Sequence, residues 1–285
     1  MTILVFGKNG QVARELARLK PDAIFLGRDE ADLSKPDAAK AAIEAIRPKA
    51  VLNAAAYTQV DNAETEQELA FAINADAPGE MAAACARAGI PILHLSTDYV
   101  FDGSRQSASA PYDPTAPLNV YGSSKRAGET LIEASGTTYA VLRTSWVFSS
   151  TGANFVKTML RLSEQHKVLR IVADQIGGPT PAAAIAETSL KMLAAIQKAP
   201  QTSGIYHFSG APDCSWADFA QEIFRQARRD TEVQRISTAE FPTRAKRPQN
   251  SRLDCRSTWD TFGIGQPDWH WGLGIVLEEL GVKQA

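Results

Sequence analysis

Short apolar runs alternate with segments of helical periodicity along the first half of the chain. Five such runs are predicted strands, at residues 3–6, 23–26, 50–53, 92–96 and 139–143. Their nearly uninterrupted apolar character is typical of parallel strands that are buried on both faces of a sheet. Between the runs, apolar residues recur at helical spacing, as Val12, Leu16 and Leu19 do after the first run. The alternation predicts an α/β fold with a doubly wound parallel sheet of the Rossmann type.

The second half of the chain is less regular, with short strands, helices and proline-rich turns. A chain of 285 residues is long enough for one large or two modest domains. We expect a dinucleotide-binding domain over residues 1–150, completed by segments that return to it near 168–180 and 204–210. We expect residues 151–285 to form a smaller α/β domain that binds the substrate.

The first predicted strand is followed by a glycine turn and then a helix. Gly7, Gly10 and Ala13 give the spacing G-x-x-G-x-x-A, in the context that a dinucleotide-phosphate loop needs. Gly7 would permit the tight turn, and Gly10 would let backbone N–H groups approach a pyrophosphate at the helix N-terminus. The alternative is a plain strand–turn–helix, because the spacing departs from the simplest G-x-G-x-x-G pattern.

Charged residues after the second strand bear on the choice of cofactor. Arg28 lies where such folds meet the adenosine ribose, and a guanidinium there favours the 2′-phosphate of NADPH. Asp29 and Asp32 lie nearby and could instead hold a ribose hydroxyl, which would suit NADH. The alternative for Arg28 is an ordinary solvated arginine at the surface.

Candidate chemistry is concentrated in one helix and at the end of one strand. Tyr121 and Lys125 are one helical turn apart, so the ammonium would stand beside the phenol and lower its pKa. Tyr121 would then donate a proton to a carbonyl group that is being reduced. Thr97, at the end of the fourth strand, could hydrogen-bond the same oxygen. The alternatives are two ordinary residues on a solvated helix face and a threonine that forms a local turn.

Composition argues against several classes of function. A net charge of −2 offers no basic surface for nucleic acid, and no apolar run approaches the roughly 20 residues that span a membrane. The N-terminus has the pattern of a strand rather than of a signal peptide. The three cysteines show neither metal-ligand spacing nor a disulfide framework. We therefore expect a cytoplasmic protein that binds neither nucleic acid nor membrane.

Motifs spread over nearly the whole chain resemble those of one family. They comprise residues 6–12, 53–58, 96–101, 117–122, 143–147 and 154–159, with Asp174-Gln175, Gly178-Pro179-Thr180, Arg247-Pro248 and Asn250-Ser251. The chain thus resembles the dTDP-4-dehydrorhamnose reductases, which are extended short-chain dehydrogenases/reductases. The resemblance implies that NADPH or NADH reduces the C4 keto group of dTDP-4-dehydro-L-rhamnose, a dTDP-sugar, to give dTDP-L-rhamnose.

The resemblance also implies roles for individual residues. The catalytic trio would be Thr97, Tyr121 and Lys125. The cofactor would be held by Tyr121 and Lys125 together with Gly7, Asn9, Gly10, Gln11, Val12, Arg28, Asp32, Leu33, Ala54, Ala55, Ala56 and Tyr57. The sugar-nucleotide pocket would be shaped by Val60, Asp98, Tyr99, Trp146, Asn154 and Arg247.

The family is further associated with a homodimer that is linked by Mg²⁺ through acidic side chains. Glu15 matches one of those positions, but Glu187 is followed by Thr188 rather than by a second acid. Two other functions stay open on the same fold. One is a nucleotide-sugar epimerase or dehydratase that retains its NAD, and the other is a regulatory subunit that binds a dinucleotide without catalysis. The intact Tyr121 and Lys125 pair argues against the second of these.

Overall fold

A six-stranded parallel sheet forms the centre of the protein. The structure, a computed structural model, describes residues 2–282 of the chain. Its strands are β1 (Ile3–Phe6), β2 (Ile24–Leu26), β3 (Ala50–Asn53), β4 (Ile92–Thr97), β5 (Tyr139–Thr144), β6 (Val147–Phe148), β7 (Val168–Val172), β8 (Ile176–Gly177), β9 (Thr180–Pro181), β10 (Gly204–His207), β11 (Cys214–Ser215) and β12 (Glu232–Ile236). The main sheet has the order β10-β5-β4-β3-β1-β2, and all its neighbouring pairs are parallel. The doubly wound sheet predicted from the apolar runs is confirmed.

The α-helices of residues 2–282 lie on the two faces of this sheet and in the second half of the chain. They are α1 (Gln11–Leu19), α2 (Ala38–Ile46), α3 (Val60–Ala63), α4 (Gln67–Phe71), α5 (Ala77–Ala88), α6 (Val120–Ala134), α7 (Phe155–Ser163), α8 (Ala182–Lys198), α9 (Trp216–Gln226), α10 (Arg256–Phe262) and α11 (Trp269–Glu279). Successive side chains of a strand point to opposite faces. Ile3 and Val5 accordingly pack with α1 and α8, whereas Leu4 and Phe6 pack with α2 and α5. This double burial explains why the strand has no polar residue.

A separate apolar core lies in the second half of the chain. Helices α7, α9 and α11 contribute to it, and Phe219 and Trp269 are among its fully enclosed side chains. The segment 168–180, which we expected to return to the dinucleotide-binding domain, adds no strand to the main sheet: β7 pairs with β12, β8 with β11, and β9 with β6, a strand within residues 1–150. The reason is visible in β7, where Ile171 faces the second core while Val168 is exposed. The segment at 204–210 does return, because β10 pairs with β5.

Two further findings concern the state of the cysteines and the length and apolar character of the helices. Cys85, Cys214 and Cys255 are all free thiols, in agreement with the predicted lack of a disulfide framework. Burial raises the pKa of the Cys85 thiol to about 12. Among the helices of residues 2–282, none combines the length and the apolar character needed to cross a membrane.

Candidate active site

A cavity of about 770 Å³ opens at the carboxyl ends of β1 to β5. Open α/β sheets bind their ligands at this edge, where the strand order changes direction. The residues predicted to hold a cofactor all line it, namely Gly7, Asn9, Gly10, Gln11, Val12, Arg28, Asp32, Leu33, Ala54, Ala55, Ala56, Tyr57, Tyr121 and Lys125. The structure therefore brings into one cavity residues that are as far apart in sequence as the first loop and α6.

Gly7 allows two loops to meet at the base of the cavity. Its φ of +101° lies in a region that side chains rarely adopt. A Cβ at this position would lie 2.7 Å from the backbone nitrogen of Ala55 and 2.8 Å from the carbonyl oxygen of Ala54. Only glycine therefore lets the loop after β1 pack directly on the loop after β3. The cavity floor is thus made of backbone from two strand ends.

The N-terminus of α1 faces this cavity without a side-chain cap. Gly10 precedes the helix in an extended conformation and offers no capping side chain. Uncapped N–H groups and the helix dipole suit an anion such as a pyrophosphate. The next residue, Gln11, is held from the other half of the chain: its Oε1 accepts hydrogen bonds from Ser149 Oγ and Asn154 Nδ2, each at 2.9 Å. The phosphate loop is thereby fixed to the segment that leads into α7.

Arg28 and Asp32 lie together at the edge of the cavity. Arg28 Nε is 3.7 Å from Asp32 Oδ1, and the arginine side chain is 69% exposed. Hydrogen bonds from the side chain and backbone of Ser34 hold the pKa of Asp32 below its usual value. The exposed guanidinium is therefore available to an incoming ligand, while the carboxylate is already engaged by Ser34.

The helix α6 carries the two residues of the Tyr-x-x-x-Lys pattern. Asn119 caps it and accepts the N–H of Gly122 at 2.8 Å, so Tyr121 lies in the first turn. Lys125 is one turn further, and its Nζ donates to the carbonyl oxygen of Leu95 at 2.6 Å. Thr97 does not line the cavity, but its side chain lies close enough to Tyr121 to affect the ionisation of the phenol. Its Oγ1 also donates to Asp98 Oδ1 at 3.0 Å.

The expectation that Lys125 lowers the pKa of Tyr121 is wrong for this structure. Burial raises the pKa of Tyr121 to about 12, and Asp98 acts in the same direction, while the hydrogen bond between Thr97 and Tyr121 opposes the rise. Burial also lowers the pKa of Lys125 to about 8. Removal from water disfavours both charged forms, and the lysine nitrogen is engaged with β4. Tyr121 is therefore a neutral phenol at neutral pH, which is the form that donates a proton.

Two polar side chains of the cavity were not among the predicted residues. Ser96 is the residue before the last one of β4, and Thr144 is the last residue of β5. Both residues line the cavity. Within the described chain, Ser96 Oγ and Thr144 Oγ1 are buried and have no hydrogen-bond partner. A buried hydroxyl without a partner is costly unless a ligand or water satisfies it. Polar residues at the carboxyl ends of neighbouring buried strands were the signal in the sequence that could have identified them.

The residues predicted for the sugar-nucleotide pocket do not line this cavity. They are Val60, Asp98, Tyr99, Trp146, Asn154 and Arg247. Tyr99 lies nearest to the catalytic pair, with its ring edge-to-face on Tyr121 at 5.7 Å. Trp146 stacks on Trp216 at 3.5 Å between ring centroids.

Two acidic residues in this region have pKa values shifted in opposite directions, that of Asp61 downward and that of Asp98 upward. Arg247 forms an ion pair with Asp61 at 2.6 Å, and this pair holds the pKa of Asp61 below its usual range. Burial instead raises the pKa of Asp98 to about 6. A pocket that used both Asp98 and Arg247 would therefore have to compete with Asp61 for the guanidinium.

Glu15, the predicted metal ligand, is surrounded by groups that do not fit Mg²⁺. Arg18 lies 3.3 Å from Glu15 Oε2 and 2.6 Å from Glu279 Oε1, so a guanidinium already pairs with both acids there. Burial raises the pKa of Glu15, and only Arg18 opposes this. Residues 2–282 contain no group of three or more His, Cys, Asp and Glu side chains that could hold a metal ion.

Comparison with known proteins gives one consistent result. Residues 1–282 match the model of the RmlD substrate binding domain family. The chain is 41% identical to the dTDP-4-dehydrorhamnose reductase of Burkholderia thailandensis, over 98% of this chain and 99% of that protein. The crystal structure of a dTDP-4-dehydrorhamnose reductase from Clostridium acetobutylicum has a TM-score of 0.93 at 35% identity, covering 99% of this chain and 100% of that one. The Bacillus anthracis enzyme in complex with NADP has a TM-score of 0.90 at 35% identity, covering 98% and 100%.

Proposed function

The chain belongs to the RmlD substrate binding domain family, and we propose from this premise that it is a dTDP-4-dehydrorhamnose reductase. In this function it reduces the C4 keto group of dTDP-4-dehydro-L-rhamnose to give dTDP-L-rhamnose. The observation that carries the proposal is that the first glycine loop meets Tyr121 and Lys125 in one cavity, at the carboxyl ends of β1 to β5.

The cavity fits a nicotinamide dinucleotide. Its features are the backbone floor that a Cβ at Gly7 would fill, the uncapped start of α1 and the unpaired hydroxyls of Ser96 and Thr144. The loop around Gly10 would hold the pyrophosphate, and Lys125 would bind the ribose next to the nicotinamide. When bound, the reduced cofactor supplies the hydride that adds to C4 of the sugar.

Tyr121 supplies the proton that completes the reduction. As C4 receives the hydride, its carbonyl oxygen develops negative charge, and the neutral phenol donates its proton to that oxygen. The raised pKa of Tyr121 keeps the proton on the phenol until then. Thr97 stabilises the same oxygen by a hydrogen bond. The pKa of Lys125 is about 8. In its protonated form, Lys125 stabilises the Tyr121 phenolate that remains after the proton is donated.

We assign NADPH as the preferred cofactor on account of Arg28. Its guanidinium is exposed at the cavity edge. The distance from Arg28 Nε to Asp32 Oδ1 is 3.7 Å, which is too long for a hydrogen bond, so Asp32 does not hold the guanidinium tightly. A 2′-phosphate offers a bidentate partner there that a ribose hydroxyl does not. Replacing Arg28 with alanine should therefore raise KM for NADPH while KM for NADH stays nearly unchanged.

The six residues expected at the sugar-nucleotide pocket remain assigned to it. Tyr99 supports this assignment because it packs on Tyr121, and Arg247 does so because a guanidinium can hold a diphosphate once Asp61 releases it. The segments that carry Asp61 and Arg247 would then separate when the substrate enters.

One assay tests the function. The dTDP-4-keto sugar is supplied together with a 3,5-epimerase, and consumption of NADPH and NADH is followed side by side, with and without Mg²⁺. We expect stoichiometric NADPH oxidation and slower oxidation of NADH. We expect no dependence on Mg²⁺, because Arg18 already occupies the acids Glu15 and Glu279. An absence of cofactor oxidation in every condition would remove the reductase. Purified protein that carries stoichiometric NAD would instead indicate an epimerase or dehydratase.

A further inference from the structure

A buried histidine lies directly behind the lysine of the active site. His94 is in β4, is fully buried and does not line the cavity. Its ring nitrogens face two different partners: Nδ1 is 3.0 Å from Asn53 Nδ2, and Nε2 is 3.0 Å from Lys125 Nζ. A continuous chain of side chains therefore joins β3 through β4 to α6. None of the predicted roles includes His94 or Asn53.

The hydrogen bonds of this chain fix which atoms donate. The N–H of Ala55 donates to Asn53 Oδ1 at 3.0 Å, so the amide nitrogen of Asn53 must face His94. An amide nitrogen only donates, and His94 Nδ1 must therefore accept and leave the ring proton on Nε2. That proton points at Lys125 Nζ. The lysine nitrogen can accept it only through a lone pair, that is, as a neutral amine.

A charged Lys125 would break the chain. An ammonium has three donors and no acceptor, so His94 would have to carry its proton on Nδ1, against the amide nitrogen of Asn53. The carbonyl oxygen of Leu95 accepts from either form of the lysine and does not distinguish them. Burial acts in the same direction as the hydrogen bonds, since it lowers the pKa of Lys125 to about 8 and that of His94 well below its usual value.

Other charged groups around Lys125 do not reverse this preference. The titratable or charged buried groups of the elements packed around it, besides His94, include Tyr121, Glu129, Asp98, Tyr99, Arg143 and, on α5, Cys85. Among them Glu129 favours the ammonium. Its carboxylate is already held by Arg143 through two hydrogen bonds of 2.8 and 2.7 Å, so its charge is largely balanced.

We propose that His94 is a positioning residue that favours the uncharged amine of Lys125 in the free protein, so that an anionic cofactor binding in alkaline solution brings a proton to the lysine. The proposal rests on the proposed function, in which Lys125 contacts the cofactor. The phosphates of NADPH favour a cation, so Lys125 takes up one proton from the solvent on binding. His94 then offers its Nε2 lone pair to the ammonium and gives up its bond to Asn53.

Proton uptake on NADPH binding tests this proposal without catalysis. It is measured by titration calorimetry in buffers of different ionisation enthalpy. Because the pKa of Lys125 is about 8 in the free protein, binding should take up nearly one proton at about pH 9 and very little at about pH 7. An uptake near zero at about pH 9 would overturn the proposal.

Two variants assign the effect to this chain of residues. In Asn53→Asp the carboxylate accepts from both Ala55 N–H and His94 Nδ1–H, which leaves Nε2 free to accept from an ammonium. In His94→Gln the amide oxygen accepts from the ammonium directly. Both should reduce uptake at about pH 9 at least twofold and move the pH profile of kcat/KM upward by about one unit. His166→Gln, the same change at an exposed histidine between α7 and β7, is the control and should alter neither quantity.

The outcomes separate this proposal from the proposed function. Unchanged uptake in both Asn53→Asp and His94→Gln overturns the role of His94, whatever the activity. Wild-type protein that takes up a proton with NADPH but does not reduce the keto sugar overturns the proposed function and leaves the role of His94 supported. If one variant fails to fold, the other variant and the wild-type uptake still decide the matter.

Discussion

Replacing Gly122 with alanine should disable the site without removing any reactive group. Gly122 is buried in the first turn of α6, directly after Tyr121. A Cβ at this position would overlap the carbonyl oxygen of Tyr99, and it would stand 3.0 Å from both the carbonyl carbon of Tyr99 and Cβ of Pro117. These neighbours are backbone and a proline ring, which cannot rotate away. The start of α6 must therefore move, and Tyr121 moves with it.

The size of the effect follows from these distances. Carbon atoms pack at about 3.5–4.0 Å, so the helix start must shift by roughly 1 Å. Overpacking of this kind costs about 1–3 kcal/mol, and the better helix propensity of alanine returns up to about 1 kcal/mol. Displacing a catalytic group by about 1 Å lowers the rate roughly 100-fold. We therefore expect a modest loss of stability, about 1–2 kcal/mol, with a far larger loss of activity.

The assay compares kcat for NADPH oxidation with the free energy of unfolding in urea. Gly265→Ala is the matched control, because its Cβ would lie 3.8 Å from the nearest atoms of the Trp259 ring, an ordinary contact. The control should keep both values. If Gly122→Ala kept kcat within about threefold of the wild type, the close packing of α6 on the Tyr99 carbonyl would not be what positions Tyr121.

Three further predictions concern stability. Glu129→Gln leaves the buried guanidinium of Arg143 without its carboxylate and should cost about 3–5 kcal/mol in urea unfolding; a loss below about 1 kcal/mol would contradict this. The raised pKa of Asp98, about 6, means that the folded chain keeps a proton that the unfolded chain loses near pH 4. The stability difference between wild type and Asp98→Asn should therefore fall as pH rises from about 4 to about 6, and a flat difference would refute the buried neutral carboxyl. Ser215→Ala removes the capping box with Asp218 at the start of α9 and should cost about 1 kcal/mol, which an unchanged Tm would exclude.

The main sheet could be predicted because its strands are buried on both faces. β1 and β3 to β5 stand out as apolar runs flanked by glycine, proline or polar residues. Apart from β10, the strands of the second half are two to five residues long and pair in twos, so their patterns are weak. That is why the strand pairing of 168–180 could not be predicted from the sequence.

The sequence could predict which residues line the cavity, but it could not predict the pKa shifts within it. Residues at the ends of β1, β2 and β3 meet at one edge for reasons of topology alone, and the sequence order determines that topology. The ionisation of Tyr121 depends instead on burial by segments distant in the chain, which a local Tyr-x-x-x-Lys pattern does not contain.

Contacts made by the second half of the chain explain why two residues expected at the sugar-nucleotide pocket lie outside the cavity. Asn154 donates to Gln11 and Trp146 stacks on Trp216, so neither side chain lines the cavity. These contacts depend on how the second core packs against the first loop, and residue spacing carries no record of that packing. His94 was overlooked because a single histidine in an apolar strand has the pattern of an ordinary core residue.

The central claim is that the hydroxyl of Tyr121 delivers a proton inside the cavity that holds the cofactor. The most direct test is the turnover of Tyr121→Phe with NADPH and the dTDP-4-keto sugar, after binding of NADPH to the variant has been verified by titration. Loss of a general acid should lower kcat by about 100- to 10,000-fold while NADPH still binds. Near-native turnover with NADPH bound would contradict the account.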